Sequence, residues 1–122
     1  MPSDWLYSQS SGQLTDPTGQ PLARCYSGTG LGRNNPAMES VKGIGPIPKG
    51  RYTISKAYNH MTLGRCVMNL DALPGAETFG RGDFRIHGNN QANDASHGCV
   101  VADKPYRQAV AVSLVRFLSV TG

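Results

Sequence analysis

The sequence predicts a mainly β domain with short helices and one C-terminal helix, and three observations lead there. Fifteen glycines and eight prolines in 122 residues break the chain into short elements joined by turns. Apolar and polar residues alternate over several short segments, as in half-buried strands. Helical spacing is strong only in the tail.

Residues 5–30, WLYSQSSGQLTDPTGQPLARCYSGTG, alternate in short pieces cut by Ser-Gly, Asp-Pro and Gly-Gln-Pro signals, the start of a β-meander. Residues 31–49 are rich in Gly, Asn and Pro and run into GIGPIPKG, which predicts a long surface loop. RYTISKAY (51–58) alternates as a strand, RCVMNLDAL (65–73) is a second, and GDFRIHG (82–88) a third that brings His87 to a strand end. In the tail, Asp103 is placed to cap and Pro105 suits a first turn. Tyr106, Val110, Leu114 and Phe117 then recur as one apolar stripe. GTGLG (28–32) lacks the spacing of a dinucleotide loop, and Arg81-Gly82-Asp83 reads as a turn. No repeat or linker interrupts the chain, so residues 1–122 are expected to form a single domain.

Composition narrows the function. With 39% hydrophobic and 16% charged residues the chain is globular, and long enough to bury a core without disulfide or metal staples. No apolar run reaches the ~18 residues that span a bilayer, and the N-terminus has no charged region followed by an apolar one. Membrane insertion and Sec export are therefore not expected. The net charge of +4 and pI of 9.2 come from scattered Lys and Arg, without the clusters of a nucleic-acid surface. A monomer is expected. Three cysteines, Cys25, Cys66 and Cys99, leave at least one thiol unpaired. Cys25 and Cys66 could join in an oxidising compartment, although buried reduced cysteine is equally ordinary.

The chemistry concentrates in FRIHGNNQANDASHGCVV, residues 84–101. A cysteine there is packing, a metal ligand or a nucleophile. Zinc sites favour close pairs such as CxxC or HxxxH, and His87, His97 and Cys99 form none, so no metal or cofactor is expected. A nucleophilic thiol needs help to ionise at neutral pH, and histidine is the usual assistant. His87 and Cys99 are separated by NNQAND, where Asn89, Asn90, Asn93 and Asp94 favour a turning loop. Gly98 allows a tight turn, with the Gly98 and Cys99 amides as oxyanion donors. Ser96 is placed to brace that turn, and His97 to be a supporting donor, a second base or a turn residue. His60 reads as a surface or packing residue.

His-Gly followed by Ser-His-Gly-Cys-Val resembles the signature of the L,D-transpeptidase (YkuD-type) catalytic domain. GPIPKGRYTI is similar to that family's strand entry. The opening W-x-Y-x-Q-S-S-G and the Tyr26-Ser27-Gly28 segment are similar to L,D-transpeptidase-like effectors of type VI secretion. The resemblance implies a YkuD-like β-sandwich or barrel-like sheet with Cys99 as nucleophile and His87 as base, oriented in many members by a backbone carbonyl rather than by a residue such as Asp94. It places Gly88 beside the base and Tyr26, Ser27 and Gly28 at the substrate cleft, a strand edge being the alternative for these three; by their charge Arg33, Lys49 and Arg85 are candidates to bind the stem peptide's carboxylates. Two departures stand out: Val101 occupies a position where many members carry Arg or Asn, and the loop from His87 to Cys99 is short.

The implied reaction is attack on the bond between diaminopimelate and D-Ala of peptidoglycan stem tetrapeptides. A Cys thioester would then pass to water or to a free D-amino acid. The implied setting is the periplasm of a target bacterium, with delivery by secretion machinery rather than Sec and an immunity protein as partner. The alternatives are a housekeeping enzyme making 3-3 cross-links, a non-catalytic wall-binding module and an unrelated thiol hydrolase.

Overall fold

The computed structural model describes residues 3–90 and 96–122. Its strands are β1 (Trp5–Ser8), β2 (Gln13–Thr15), β3 (Pro21–Arg24), β4 (Tyr26–Ser27), β5 (Gly50–Ile54), β6 (Tyr58–His60), β7 (Gly64–Ala72), β8 (Phe84–His87), β9 (Val100–Val101) and β10 (Phe117–Thr121), with helix α1 at Lys104–Val112. They form one barrel-like sheet in the order β3-β2-β1-β10-β5-β7-β8-β9-β4, with β6 paired on β7. β3 and β4 lie at opposite ends of that order, yet only Cys25 separates them in the chain. The fold is mainly β, as the sequence predicts, and β1 to β3 form the expected meander.

Register explains the core. Trp5 pairs with Leu118, which pairs with Tyr52; Ile54 pairs with Leu70, and Leu70 with Phe84; Ile86 lies between Met68 and Val100. Strand alternation sends these residues to one face, where all are buried in a single cluster. The opposite face of β7, β8, β9 and β4 is left for other work. It carries Val67, Asn69, Arg85, His87, Val101 and Tyr26.

The tail departs from expectation. Helix α1 stops at Val112, Leu114 is 98% exposed, and Phe117 opens β10. The stripe through Tyr106, Val110, Leu114 and Phe117 is therefore not one helical face, and the helix is followed by a strand. Two features stop it. Ser113 turns extended, its hydroxyl accepting from Trp5 Nε1 at 3.2 Å and from the Val115 amide at 3.1 Å. Arg116 then donates to the carbonyls of Val110 (2.7 Å), Ser113 (3.2 Å) and Ala111 (3.4 Å), satisfying acceptors that a longer helix would have used. FLSVT beyond it alternates with period two and buries Leu118 and Val120. Asp103 occupies the N-cap position without a side-chain cap bond, and Pro105 lies in the first turn.

Smaller differences affect the site. The strand expected over 51–58 ends at Ile54 and resumes as β6. The expected surface loop of 31–49 includes single 3-10 turns at Gly30–Gly32 and Pro36–Met38 and is buried from Gly45 to Pro48. All three cysteines are free; burial pushes the Cys25 thiol up to about 12.

Candidate active site

His87 ends β8, and in the row across the sheet it pairs with Val101, which pairs with Tyr26. Its ring is buried among these neighbours. Nδ1 lies 2.8 Å from the Gly88 carbonyl oxygen. A carbonyl only accepts, so Nδ1 carries the proton and Nε2 keeps a lone pair. Burial holds the imidazole below its ordinary pKa; the Gly88 bond opposes this, while the charges of Arg107, Arg85 and His60 add to it. With its pKa held below 6.5, His87 is a neutral imidazole at pH 7. Val101, its pair in the sheet, is itself buried.

Cys99 follows a turn held by two serines. Ser96 Oγ accepts from the amides of Gly28 (2.9 Å) and Gly98 (3.2 Å) and donates to the Cys99 carbonyl (2.6 Å). Ser27 Oγ accepts from the Ile47 amide (2.8 Å) and donates to the Gly98 carbonyl (3.3 Å). Gly98 has φ +121°, a conformation that favours glycine. The turn enters β9 one residue before its ladder with β8, setting Cys99 one strand over from His87 and two residues along from its partner Val101. The Cys99 sulfur points to the Asp83 carbonyl at 3.7 Å. Burial pushes the thiol pKa up; the Arg85 amide and the charges of Arg85 and Arg81 oppose this, and Asp83 reinforces it. At pH 7 Cys99 is thus a thiol and His87 a neutral imidazole, one strand apart, with His87 but not Cys99 in the lining of the cleft. Among the hydrogen bonds of the described residues none joins the two: Nδ1 of His87 lies against the Gly88 carbonyl and the Cys99 sulfur against the Asp83 carbonyl.

A cleft of about 490 Å³ opens over this face, lined by Thr29, Thr62, Leu63, Gly88, Asn89, Asn90 and the two histidines His87 and His97. The sequence matches the Tlde1 domain family over residues 22–120, a span that takes in the whole site. The chain belongs to the Tlde1 domain family. That name denotes L,D-transpeptidase effectors of type VI secretion. No curated protein matches the chain.

Within this Tlde1 domain the residues singled out from sequence fall into distinct places. His87, Gly88 and His97 meet at the cleft; His97 is exposed, with Nδ1 3.3 Å from the Gly43 carbonyl. Gly88 supplies the orienting carbonyl and not only cleft wall. Ser27 and Gly28 do not face the cleft: Ser27 falls on the core side of β4, and a Cβ on Gly28 would lie 2.5 Å from the Gly32 carbonyl oxygen. Their work is to brace the Cys99 turn. Tyr26 is on the His87 face, but its hydroxyl donates to Asn89 Oδ1 at 2.5 Å and its ring carries the Arg33 guanidinium at 3.7 Å. Arg85 is engaged by the Tyr58 hydroxyl and the Asp83 carbonyl, both at 3.3 Å, and Lys49 pairs with Glu39 at 3.3 Å. None of the three cations Arg33, Lys49 and Arg85 lines the cleft. The Gly98 amide, an expected oxyanion donor, is taken by Ser96. His60 turns the β6–β7 hairpin, accepting from the Thr62 and Leu63 amides. Asn93 and Asp94 lie outside the described residues. Among the described residues no three His, Cys, Asp or Glu side chains gather as a metal-binding set.

Sequence reading missed the burial of Arg81, which it reads only as part of a turn, and missed Arg107, which lies under Gly88. It also missed the cleft walls Thr29, Thr62 and Leu63. The one available signal was Arg107's place beside the apolar positions of α1.

Proposed function

We propose that this chain is a single-domain cysteine enzyme that cleaves the bond between diaminopimelate and D-Ala of peptidoglycan stem tetrapeptides. One observation carries the reading: the Gly88 carbonyl fixes a buried, neutral His87 with Nε2 unprotonated, one strand away from the turn that presents Cys99. Membership of the Tlde1 family supports the choice of a peptidoglycan substrate. Cys99 Sγ attacks the amide carbonyl as His87 Nε2 takes the thiol proton. With the Gly98 amide committed to Ser96, the Cys99 amide is the proposed oxyanion donor. Collapse expels D-alanine, whose amine takes the proton from His87, and leaves an acyl thioester on Cys99. Water then yields a tripeptide, and a free D-amino acid yields an exchanged tetrapeptide. Either product lacks the usual cross-link donor, which fits an antibacterial effector acting in a rival cell's periplasm, with an immunity protein to protect the producer.

The test is mass spectrometry of purified tetrapeptide muropeptides incubated with wild type, Cys99→Ala and His87→Ala. Loss of one alanine is expected with wild type alone. Dimer formation would favour the cross-linking alternative, and release by Cys99→Ala would remove the thiol from the mechanism.

A further inference from the structure

Two arginines, one in the turn before β8 and one in α1, are 7% and 8% exposed. Burying a guanidinium is costly unless its donors are satisfied, and here backbone carbonyls do it. Arg81 donates to Glu39, Pro46 (2.8 Å) and Gly45 (3.0 Å). Arg107 donates to Ala102 (2.6 Å), Cys66 (3.2 Å) and Arg65 (3.4 Å). Among the described residues neither forms an ion pair, so both charges remain unneutralised. Each lies against the glycine beside one reacting residue. A Cβ on Gly98 would fall 2.5 Å from Arg81 Nη2, and a Cβ on Gly88 would fall 2.9 Å from Arg107 Nη1.

We propose that Arg81 and Arg107 are paired positioning residues, holding Cys99 and His87 in place through Gly98 and Gly88 respectively. The inference rests on the roles of Cys99 and His87 proposed above. Arg81 ties the Cys99 turn to the buried end of the 31–49 loop; Arg107 ties the His87 turn to α1 and β7. Their charge acts in the same sense as their geometry, because a nearby cation favours both a thiolate and a proton-free imidazole. Other charged groups share that field. Arg85 and Asp83 face Cys99, while Arg85 and His60 act on His87. Removing one arginine therefore weakens the effect without abolishing it.

The test uses Arg81→Met, Arg81→Lys, Arg107→Met and Arg107→Lys in the full chain. Cys99 alkylation by iodoacetamide is followed against pH, with peptide mapping to separate it from Cys25 and Cys66, and the His87 ring is titrated by NMR. Arg81→Met is expected to raise the Cys99 midpoint by ~0.5–1 unit, about three- to tenfold in rate at fixed pH. Arg107→Met is expected to raise the His87 midpoint by a similar ~0.5–1 unit. The Lys variants keep the charge but lose the planar fork, so both midpoints should stay near wild type while kcat for D-alanine release falls at little-changed KM. Folded Met variants with unmoved midpoints would overturn the proposal. If the Met variants do not fold, Lys variants with wild-type kcat overturn it and a selective fall in kcat supports it. If wild type releases no D-alanine, the enzyme reading fails, while the alkylation and ring titrations still judge the arginines.

Discussion

Removal of the Ser96 hydroxyl tests how the Cys99 turn is held. Ser96 is fully buried, and its Oγ satisfies the Gly28 and Gly98 amides and the Cys99 carbonyl. Ser96→Ala deletes three hydrogen bonds and adds no bulk. Each buried group left unpaired costs ~1–3 kcal/mol, and taking the lower end for all three gives a loss of about 3 kcal/mol. Against the ~5–15 kcal/mol stability of a typical domain, that is a large fraction. Urea unfolding reads it directly: at a slope of ~2 kcal/mol/M, the midpoint should fall by ~1.5 M with the slope unchanged. Ser10→Ala, at an exposed serine with a 3.5 Å hydroxyl contact, is the control and should stay within ~0.5 kcal/mol of wild type. If Ser96→Ala shifts the midpoint no more than Ser10→Ala while D-alanine release collapses, Ser96 acts in the chemistry and the bracing role is wrong.

Burial keeps His87 unprotonated below its ordinary pKa of 6.5, so the acid limb of kcat/KM should lie below pH 6.5; a limb at or above that value contradicts the buried-base description. The same shift makes the unfolded chain the better proton acceptor, so stability is full above pH 6.5 and declines as pH falls toward the folded-state value, a slope that His87→Ala should reduce in urea titrations. Val110→Ala, at a buried α1 position, should cost about 2 kcal/mol in urea unfolding, whereas Leu114→Ala should cost under ~0.5 kcal/mol; equal effects would restore the longer helix. Asp4 accepts from Arg51 at 2.8 and 3.0 Å and from Ser119 at 2.7 Å, and the Arg51 bond holds its pKa below 3.8. Because Arg51 is half exposed, Asp4→Asn should cost only ~0.5–1 kcal/mol at pH 7. That difference should vanish as pH falls through the lowered pKa, and it can be followed by thermal melts.

The fold class was legible because alternation is written locally. Phe84 and Ile86 in GDFRIHG, like Met68 and Leu70 in RCVMNLDAL, announce an inward face without knowledge of their partners. The Cys99 turn was legible for the same reason, since Ser96 and Gly98 act within three residues of it. The tail misled because Val110, Leu114 and Phe117 satisfy helical spacing while FLSVT also satisfies strand alternation; Arg116 and Ser113 decide between them through contacts with distant partners such as Trp5 and Ser55. The resemblance that puts Ser27 and Gly28 at the cleft does not reveal that strand parity turns Ser27 inward while the Gly32 carbonyl closes on Gly28. Arg81 was invisible for a related reason. Its acceptors lie 35 to 42 residues earlier, in a loop whose glycines and prolines suggested exposure.

β10 lies between β1 and β5, and its parallel pairing with β1 joins residues more than 110 positions apart. During synthesis the opening meander waits without its neighbour β10, and until residues 117–121 emerge it is linked to the half of the sheet bearing His87 through the pairing of β4 with β9. Closure of the sheet through β10 is therefore a late event. A chain shortened by these few residues would lose its middle and not merely its edge.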